Sequence, residues 1–325
     1  MIGRAVVTGA SGFIGTRLVE RLLRDGIPVV ALSRRGSGRP GLAADIRVAD
    51  YADAGALQAA FAGAQVVFHL AARAHQLSED ATAPGVDERY RAANVDSAVA
   101  VAQAARAAGL RRVVLVSSIG VNGNATSGRP FSADDRPNPV EPYAKSKWLA
   151  EQSVAQALAE GPTDHVILRP PLVYGPGCPG NFLKLMNLAA RAPLLPLGGL
   201  RAPRTLIGVD NLVEALLVAA THPQASRRTF VVGDARDTDV GEILRTLVRG
   251  CGRSPRTVVD VPASWLAALA RIAGKGDTWN KLAASLQVDG SAFRHATGWQ
   301  APQDPVDGML EAARHHRMNN RASSP

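Results

Sequence analysis

The sequence predicts an α/β protein built on a doubly wound parallel sheet, with a smaller, mostly helical lobe after it. Three observations support this fold class. Short β-branched runs alternate with longer helical patterns through the first half, a glycine-rich turn joins the first run to the first helix, and 325 residues are more than one hydrophobic core usually holds. Strand followed by helix, repeated, requires a parallel sheet with helices on both faces.

The predicted strands and helices alternate along the first half of the chain. In chain order the strand and helix segments are RAVVTG, FIGTRLVERLLRDG, PVVALS, DIRVAD, AGALQAAFAGA, QVVFHLAA, ANVDSAVAVAQAARAAG and RRVVLVSS. A further helix is expected from about Tyr143 to Ala159, followed by the strand HVILRP. The first helix shows apolar residues at helical spacing and is ended by Gly26 and Pro28.

The sequence pattern changes after YGPG, at residues 174–177, where proline and glycine become frequent and the strict alternation is lost. We therefore predict a nucleotide-binding domain over 1–177 and a substrate-binding lobe over 178–325. The segment 204–235 contains one more strand and helix and a further strand, RTFVVGD, and is expected to return to the first domain. The polar, basic end, HHRMNNRASSP, is predicted to be a frayed tail.

Composition excludes several classes of protein. The two cysteines, Cys178 and Cys251, lack the spacing of a disulfide framework or a thiolate metal site, and no run of about 18 apolar residues predicts a membrane span. The N-terminus leaves no room for a signal peptide, so a cytoplasmic location is expected. The net charge of +9 is dispersed, and without a compact basic patch we do not expect nucleic-acid binding. Small anionic ligands would use the same charge.

The glycine-rich turn VVTGASGFIG predicts a phosphate-binding site. Gly9, Gly12 and Gly15 are spaced by three, directly after a predicted strand and directly before a predicted helix. Positions without Cβ let the backbone turn tightly and approach a pyrophosphate, whose charge is stabilised by the N-terminal end of the helix. Since a lone glycine match is weak evidence, the strand–turn–helix context decides for a dinucleotide, with the cofactor held by Gly9, Gly12, Phe13, Ile14 and Gly15.

Five ordered segments carry a resemblance to a known family. Their order is the one found in extended short-chain dehydrogenases/reductases of the NAD(P)-dependent epimerase/dehydratase group: TGASGFIG, HLAA, VSS, YAKSK and RPPLVYGPG. The resemblance covers nearly the whole chain. It implies a Rossmann-type domain and an enzyme that acts on a nucleotide sugar.

The predicted catalytic residues are Ser118, Tyr143 and Lys147. Tyr143 and Lys147 stand four apart in a predicted helix, so their side chains share one face, and a neighbouring ammonium is expected to favour the phenolate. Ser118 follows a strand at the carboxyl edge of the sheet, where its hydroxyl would hold a carbonyl oxygen against the phenol. The resemblance selects Ser118 over Ser117, whose hydroxyl is expected to satisfy backbone groups. In isolation, such a pair is more often a packing tyrosine beside a solvated lysine, but the glycine-rich turn upstream and the serine at a strand end reverse this preference.

The end of the second strand bears on the choice of cofactor. It reads Ser33-Arg34-Arg35, with no carboxylate for the ribose 2′-hydroxyl of NAD, and arginine suits a 2′-phosphate. This favours NADP(H), with Ser33 and Arg34 as contacts, although solvated arginines beside bound NAD(H) remain possible. The resemblance places Asp50 at the adenine and Ala71 and Ala72 beside the adenosine.

The second lobe supplies the expected substrate contacts. Asn181 and Arg204 resemble the family positions that bind the diphosphate of a nucleotide sugar, with a helix-capping asparagine and a surface arginine as the alternatives. His69 lies in an apolar strand and is expected to be a packed core residue. No metal site is predicted.

The resemblance narrows the reaction to chemistry at C4 of the sugar. Ile119-Gly120 replaces the acidic pair typical of 4,6-dehydratases, and Val121-Asn122-Gly123 replaces the V-Y-G of many 4-epimerases. The sequence therefore favours NADPH-dependent reduction of the C4 ketone of a UDP-linked 6-deoxy-N-acetylhexosamine for a surface polysaccharide, with a UDP-hexose 4-epimerase holding NAD as the alternative.

Two other functions are alternatives to this reaction, and one assembly is expected. A cofactor-sensing regulator would need no Tyr-Lys pair, and an enzyme for a small ketone would leave Asn181 and Arg204 without a diphosphate. A homodimer is expected through the two Ala-rich helices, ANVDSAVAVAQAARAAG and YAKSKWLAEQSVAQALAE.

Overall fold

A computed structural model describes residues 2–33, 45–48, 50–74 and 83–322. Its strands are β1 (Ala5–Thr8), β2 (Val29–Ser33), β3 (Asp45–Val48), β4 (Val66–His69), β5 (Arg112–Val116), β6 (Asp164–Arg169), β7 (Leu172–Tyr174), β8 (Leu206–Gly208) and β9 (Arg228–Val231). Its α-helices are α1 (Phe13–Arg24), α2 (Ala54–Phe61), α3 (Val86–Tyr90), α4 (Ser97–Ala107), α5 (Pro142–Ala157), α6 (Gly180–Arg191), α7 (Val209–Thr221), α8 (Val240–Gly250), α9 (Ala263–Ile272), α10 (Gly276–Ala283), α11 (Ser291–Thr297) and α12 (Pro305–Ala322).

The described strands form a seven-stranded parallel sheet in the order β3-β2-β1-β4-β5-β6-β9. The first six strands have the Rossmann order, which reverses between β1 and β4. The predicted doubly wound fold is therefore confirmed, and all carboxyl ends of these strands lie at one edge.

Each strand side chain packs on one of two helical layers, because successive side chains point to opposite faces. Val7 and Val114 belong to a core shared with α1 and α7, whereas their neighbours Val6 and Val113 belong to a core shared with α2, α4 and α5. β1 and β5 are buried along their length, as a sheet covered on both faces requires.

The segment 204–235 divides between two places. β9 extends the main sheet beside β6, and α7 packs on one of its faces. β8 instead pairs with β7 in a separate two-stranded parallel ladder. A third hydrophobic core, built on α6, α8 and α12, holds the C-terminal part together.

The predicted frayed tail is wrong for the described residues, because α12 continues to Ala322. Met309, Ala312 and Ala313 are fully buried in the core shared with α8, and His316 is 9% exposed one turn further on. Contact with α8 stabilises a helix whose basic end showed no obvious apolar stripe in the sequence.

Candidate active site

The glycine-rich turn between β1 and α1 is built so that only glycine fits at two of its positions. Gly9 has φ +66°, and a Cβ there would lie 2.7 Å from the backbone nitrogen of Ala71. A Cβ on Gly15 would collide with the carbonyl oxygen of Gly9. The turn therefore brings the start of α1 close to the ends of β1 and β4.

The start of α1 fits a pyrophosphate. The helix begins at Phe13, and Gly12 before it provides no side-chain cap for the first-turn N–H groups. These donors and the positive end of the helix dipole favour a bound phosphate. The residues present thus fit the dinucleotide predicted from the sequence.

Two residues that the sequence analysis missed fix this turn. The hydroxyl of Thr8, fully buried at the end of β1, accepts hydrogen bonds from the backbone nitrogens of Leu70 and Ala71, both at 3.2 Å. The backbone nitrogen of Gly9 donates to the Tyr51 hydroxyl at 3.3 Å. A polar residue closing a buried strand, as Thr8 does, was the available signal in the sequence.

His69 is a core residue, as expected. It is 1% exposed, its Nδ1 lies 2.8 Å from the Thr8 hydroxyl, and its ring packs edge-on against Tyr51. Burial and the nearby charge of Lys147 lower its pKa to about 3. The imidazole is therefore neutral near pH 7 and holds the strand ends in place.

The residues expected at the adenosine end lie around the ends of β2 and β4. Ser33 is the buried last residue of β2, and Ala71 and Ala72 are half-buried just after β4. Asp50 is exposed two residues beyond β3, and its carboxylate accepts a hydrogen bond from the backbone nitrogen of Ala52 at 3.1 Å. Arg34 lies outside the described residues.

Ser118, Tyr143 and Lys147 meet at the carboxyl edge of the sheet. Ser118 follows β5, and its hydroxyl accepts from the backbone nitrogen of Gly120 at 3.1 Å and lies within hydrogen-bonding reach of Tyr143. α5 starts at Pro142, which places Tyr143 in its first turn and Lys147 one turn later on the same face. Lys147 is 3% exposed.

The pKa of Tyr143 is shifted against the direction predicted from the sequence. Burial raises it to about 12, the hydrogen bond with Ser118 opposes this rise, and Tyr90 adds to it. Burial also lowers the pKa of Lys147 to about 8, while Glu151 acts to raise it. Burial of the phenol therefore outweighs the stabilisation of the phenolate in this arrangement.

A π-helical segment between α3 and α4, Arg91–Asp96, ties α5 to the loop after β4. The amide of Asn94, 1% exposed, donates to the Ser146 hydroxyl at 2.8 Å and accepts from the backbone nitrogen of Arg73 at 2.7 Å. Ser146 in turn donates to the carbonyl oxygen of Tyr143 at 2.7 Å. Such local irregularities in helices are frequent at functional sites, and the sequence analysis did not single out Asn94.

Ser117 does not have the role expected for it. Its hydroxyl donates a short hydrogen bond to the carboxylate of Glu151 instead of satisfying backbone groups. Adjacent residues in an extended segment point to opposite sides, so Ser117 faces the interior while Ser118 faces Tyr143.

The two residues expected to bind a diphosphate lie in the C-terminal part of the chain. Asn181 is exposed in the first turn of α6, whose cap position is Pro179, so the alternative that Asn181 caps this helix is wrong. Arg204 is half-buried, and its guanidinium donates to the carbonyl oxygen of Leu282 at 2.7 Å. Burial lowers the pKa of Arg204.

Comparison with known proteins agrees with this geometry. The model of the NAD dependent epimerase/dehydratase family matches residues 5–233, well over half of the chain. The chain belongs to the NAD-dependent epimerase/dehydratase family. This membership identifies an NAD-dependent enzyme.

Relatives of this epimerase/dehydratase family member match it over nearly the whole chain. A UDP-glucose 4-epimerase of Vibrio cholerae is 31% identical over 319 residues, 97% of this chain and 96% of the relative. A UDP-glucose 4-epimerase of Mycolicibacterium smegmatis is 33% identical over 338 residues, 98% and 100% of the two chains. The solved structure of MoeE5 in complex with UDP-glucose and NAD has a TM-score of 0.76 at 24% identity, covering 98% of this chain and 100% of that one, which shows a shared fold.

The described residues lack both metal-binding clusters and membrane-spanning helices. They contain no group of three histidine, cysteine, aspartate or glutamate side chains arranged to hold a metal ion. In the same residues, no helix of this epimerase/dehydratase family member has both the length and the apolar character needed to cross a membrane.

Proposed function

We propose that the protein exchanges hydride at C4 of the sugar of a UDP-hexose, as a 4-epimerase that retains its nicotinamide nucleotide. The observation that carries the proposal is the meeting of Ser118, Tyr143 and Lys147 beside the glycine-rich turn. The full-length relatives named UDP-glucose 4-epimerase support the choice of substrate and reaction.

Each side chain has a separate task in this reaction. A nicotinamide nucleotide held by the glycine-rich turn would supply the hydride chemistry at C4. The Tyr143 phenolate takes the proton of the C4 hydroxyl, and the Ser118 hydroxyl holds the C4 oxygen against the Tyr143 oxygen. The Lys147 ammonium stabilises the phenolate, because an opposite charge favours the ionised form. A phenol whose pKa is raised to about 12 makes this charge necessary near neutral pH.

Reduction of a UDP-linked 4-keto-6-deoxy-N-acetylhexosamine by NADPH is the second candidate. It is favoured by Ser33-Arg34-Arg35, which lacks the acidic residue expected for NAD and offers arginine to a 2′-phosphate. Asn122, the other sequence argument for reduction, is only 3% exposed, and its side chain is bonded to the carbonyl oxygen of Ser132 and to Arg169. We therefore assign Asn122 a packing role, and it favours neither reaction.

The remaining assignments concern binding. Asn181 and Arg204 are proposed to contact the diphosphate, and Asn181 is exposed and available for it. A homodimer is proposed through α4 and α5. These helices share one core, and Leu149 on α5 is exposed.

Product analysis separates the two reactions. The purified protein is mixed with UDP-glucose or UDP-N-acetylglucosamine, and the products are resolved by chromatography. Formation of the 4-epimer without added cofactor supports the epimerase. Stoichiometric loss of NADPH absorbance with the 4-keto sugar, and no epimer, supports the reductase. Absence of both reactions, beside an active reference enzyme, would reject the proposed function.

A further inference from the structure

The face of α5 that carries Tyr143 and Lys147 continues one turn further to Glu151. The three residues are spaced by four, so their side chains lie one above another along the helix. Glu151 is 2% exposed and forms a salt bridge with Arg169, itself 3% exposed, at 2.7 Å. The catalytic face of α5 therefore ends in a buried ion pair.

Arg169 holds the carboxylate in a two-pronged arrangement. Its Nε donates to Oε1 of Glu151 at 2.9 Å, and one Nη donates to Oε2 at 2.7 Å. The other Nη donates to the side-chain oxygen of Asn122 at 3.1 Å, and the guanidinium lies 5.6 Å from the centre of the Trp148 ring. Bidentate pairs of this kind fix orientation as well as charge.

The pair joins the segments on which the catalytic residues stand. Glu151 lies on α5 with Tyr143 and Lys147, and it accepts a hydrogen bond from Ser117, the neighbour of Ser118. Arg169 ends β6, and Asn122 ends the short 3₁₀ turn that begins after Ser118. The buried carboxylate of Glu151 thus links α5 to the segment that carries Ser118.

We infer that Glu151 and Arg169 are positioning residues for the reaction, which hold Tyr143 and Lys147 against Ser118. This inference rests on the proposed function. Neither residue touches the reacting atoms in this assignment. Their effect passes through the placement of α5 and through the field at Lys147.

The charged and titratable groups around Lys147 determine how readily its amine keeps its proton. On α5 they are Tyr143, one turn before, and Glu151, one turn after; from β4 the neutral His69 faces the same amine. Glu151 is the anion that acts on Lys147, and it acts to raise its pKa. Removing the negative charge should therefore let Lys147 lose its proton at lower pH.

A second buried pair, at the starts of β5 and β6, provides a matched control. Arg112 begins β5 and Asp164 begins β6, and their side chains pair at 2.6 Å with exposures of 5% and 14%. Asp164 also receives two hydrogen bonds from this guanidinium, at 2.6 and 2.7 Å. This pair lies at the amino edge of the sheet, away from Ser118, so it tests what a purely structural ion pair contributes.

The first test compares Glu151→Gln with Asp164→Asn by steady-state kinetics over a range of pH. Glutamine keeps the shape and the hydrogen-bond acceptor while removing the charge. We expect Glu151→Gln to lower kcat by about ten- to a hundredfold with little change in KM, and to move the alkaline limb of the pH profile to lower pH. Asp164→Asn should reduce stability without moving that limb. Equal pH profiles for both variants would overturn the inference.

The second test reads Lys147 directly and does not depend on turnover. The rate at which acetic anhydride modifies Lys147 is followed against pH by mass spectrometry of the folded protein. A lower apparent pKa of Lys147 in Glu151→Gln than in the parent or in Asp164→Asn supports the inference, and an unchanged value overturns it. Because no substrate is used, a failure of the proposed function would leave this result intact.

Arg169 offers a rescue experiment. A cavity of about 470 Å³, lined by Trp148, Arg169 and Arg228 among others, reaches the guanidinium from the side away from Glu151. Guanidine added to Arg169→Ala should enter it and restore part of the lost kcat. The matched variant Arg112→Ala should gain no activity from guanidine. If guanidine restored the stability of Arg169→Ala but not its kcat, Arg169 would have only a structural role. That result would overturn its assignment as a positioning residue.

Discussion

Ser117 and Ser118 are adjacent in the chain, yet their hydroxyls serve opposite sides of the site. Ser117 donates to the buried carboxylate of Glu151, and Ser118 lies within hydrogen-bonding reach of Tyr143. Ser117 therefore holds α5 through Glu151, and Ser118 lies beside Tyr143, the proposed proton carrier. Both contacts are made to α5, at Glu151 and at Tyr143. The packing of this helix is therefore linked to its proposed chemistry.

Replacement of Tyr143 by phenylalanine should remove turnover and leave cofactor binding intact. The phenol is the proposed proton carrier, and loss of such a group costs about 10²–10⁴-fold in rate. The measurement is kcat on the active substrate, together with the affinity for NAD from fluorescence titration. Normal turnover in this variant would contradict the assigned role.

Replacement of Gly15 by alanine should weaken cofactor binding by about tenfold or more, because its Cβ would collide with the carbonyl oxygen of Gly9 and distort the phosphate turn. Gly55→Ala, in the first turn of α2, is the control. The nearest atom to its Cβ would be an Asp53 oxygen at 3.4 Å, an ordinary contact. Titration with NAD should separate the two variants, and equal affinities would refute a tight turn at Gly15.

Lys147 should give the reaction an alkaline limit. Its folded-state pKa is lowered to about 8, so the ammonium that stabilises the phenolate is lost as the pH rises through this value. A plot of kcat against pH should fall on this side, and Lys147→Arg should remove the limit, since arginine stays charged. An alkaline limit that persists in Lys147→Arg would assign it to another group.

The same lowered pKa predicts a cost in stability. The unfolded chain, with a pKa near 10.5, binds this proton more tightly than the folded one, so the group contributes stability that increases between about pH 8 and 10.5. Below pH 8 the buried ammonium is charged at full cost. Lys147→Met should therefore be more stable than the parent at pH 7 in urea denaturation, while being inactive. A less stable variant would contradict this balance.

Replacement of Tyr174 should lower stability and leave kcat little changed. It is fully buried, and its hydroxyl donates to the carboxylate of Asp234 at 2.8 Å, which also accepts from Asn211 and from the backbone of Gly208. Tyr174→Phe leaves this buried carboxylate one donor short and should cost about 1–3 kcal/mol in the free energy of unfolding, with kcat little changed. A kcat loss comparable to that of Tyr143→Phe would make Tyr174 part of the chemistry.

The sequence predicted the parts of the fold that depend on local pattern. Strand–helix alternation gave the sheet and its two helical layers, and the strand–turn–helix context of Gly9 and Gly15 identified the phosphate turn. The proposed catalytic residues were predicted by spacing and by resemblance together, since Tyr143 and Lys147 alone have a structural alternative.

The sequence could not predict effects that need distant residues to meet. Glu151 and Arg169 lie 18 positions apart on different elements, and their pairing follows from the packing of α5 on β6. The raised pKa of Tyr143 depends on burial, which a helix pattern does not report. The helical end of α12 likewise depends on contacts with α8.

Transfer of the hydrogen at C4 tests the central proposal most directly. The protein is incubated with UDP-glucose that carries deuterium at C4, and the sugar products are followed by NMR. Both 4-epimers are expected to appear with deuterium retained at C4 in each, because the hydride leaves C4 and returns to it without exchange with solvent. An epimer that has gained hydrogen from solvent at C4, or the absence of any epimer, would contradict the proposal.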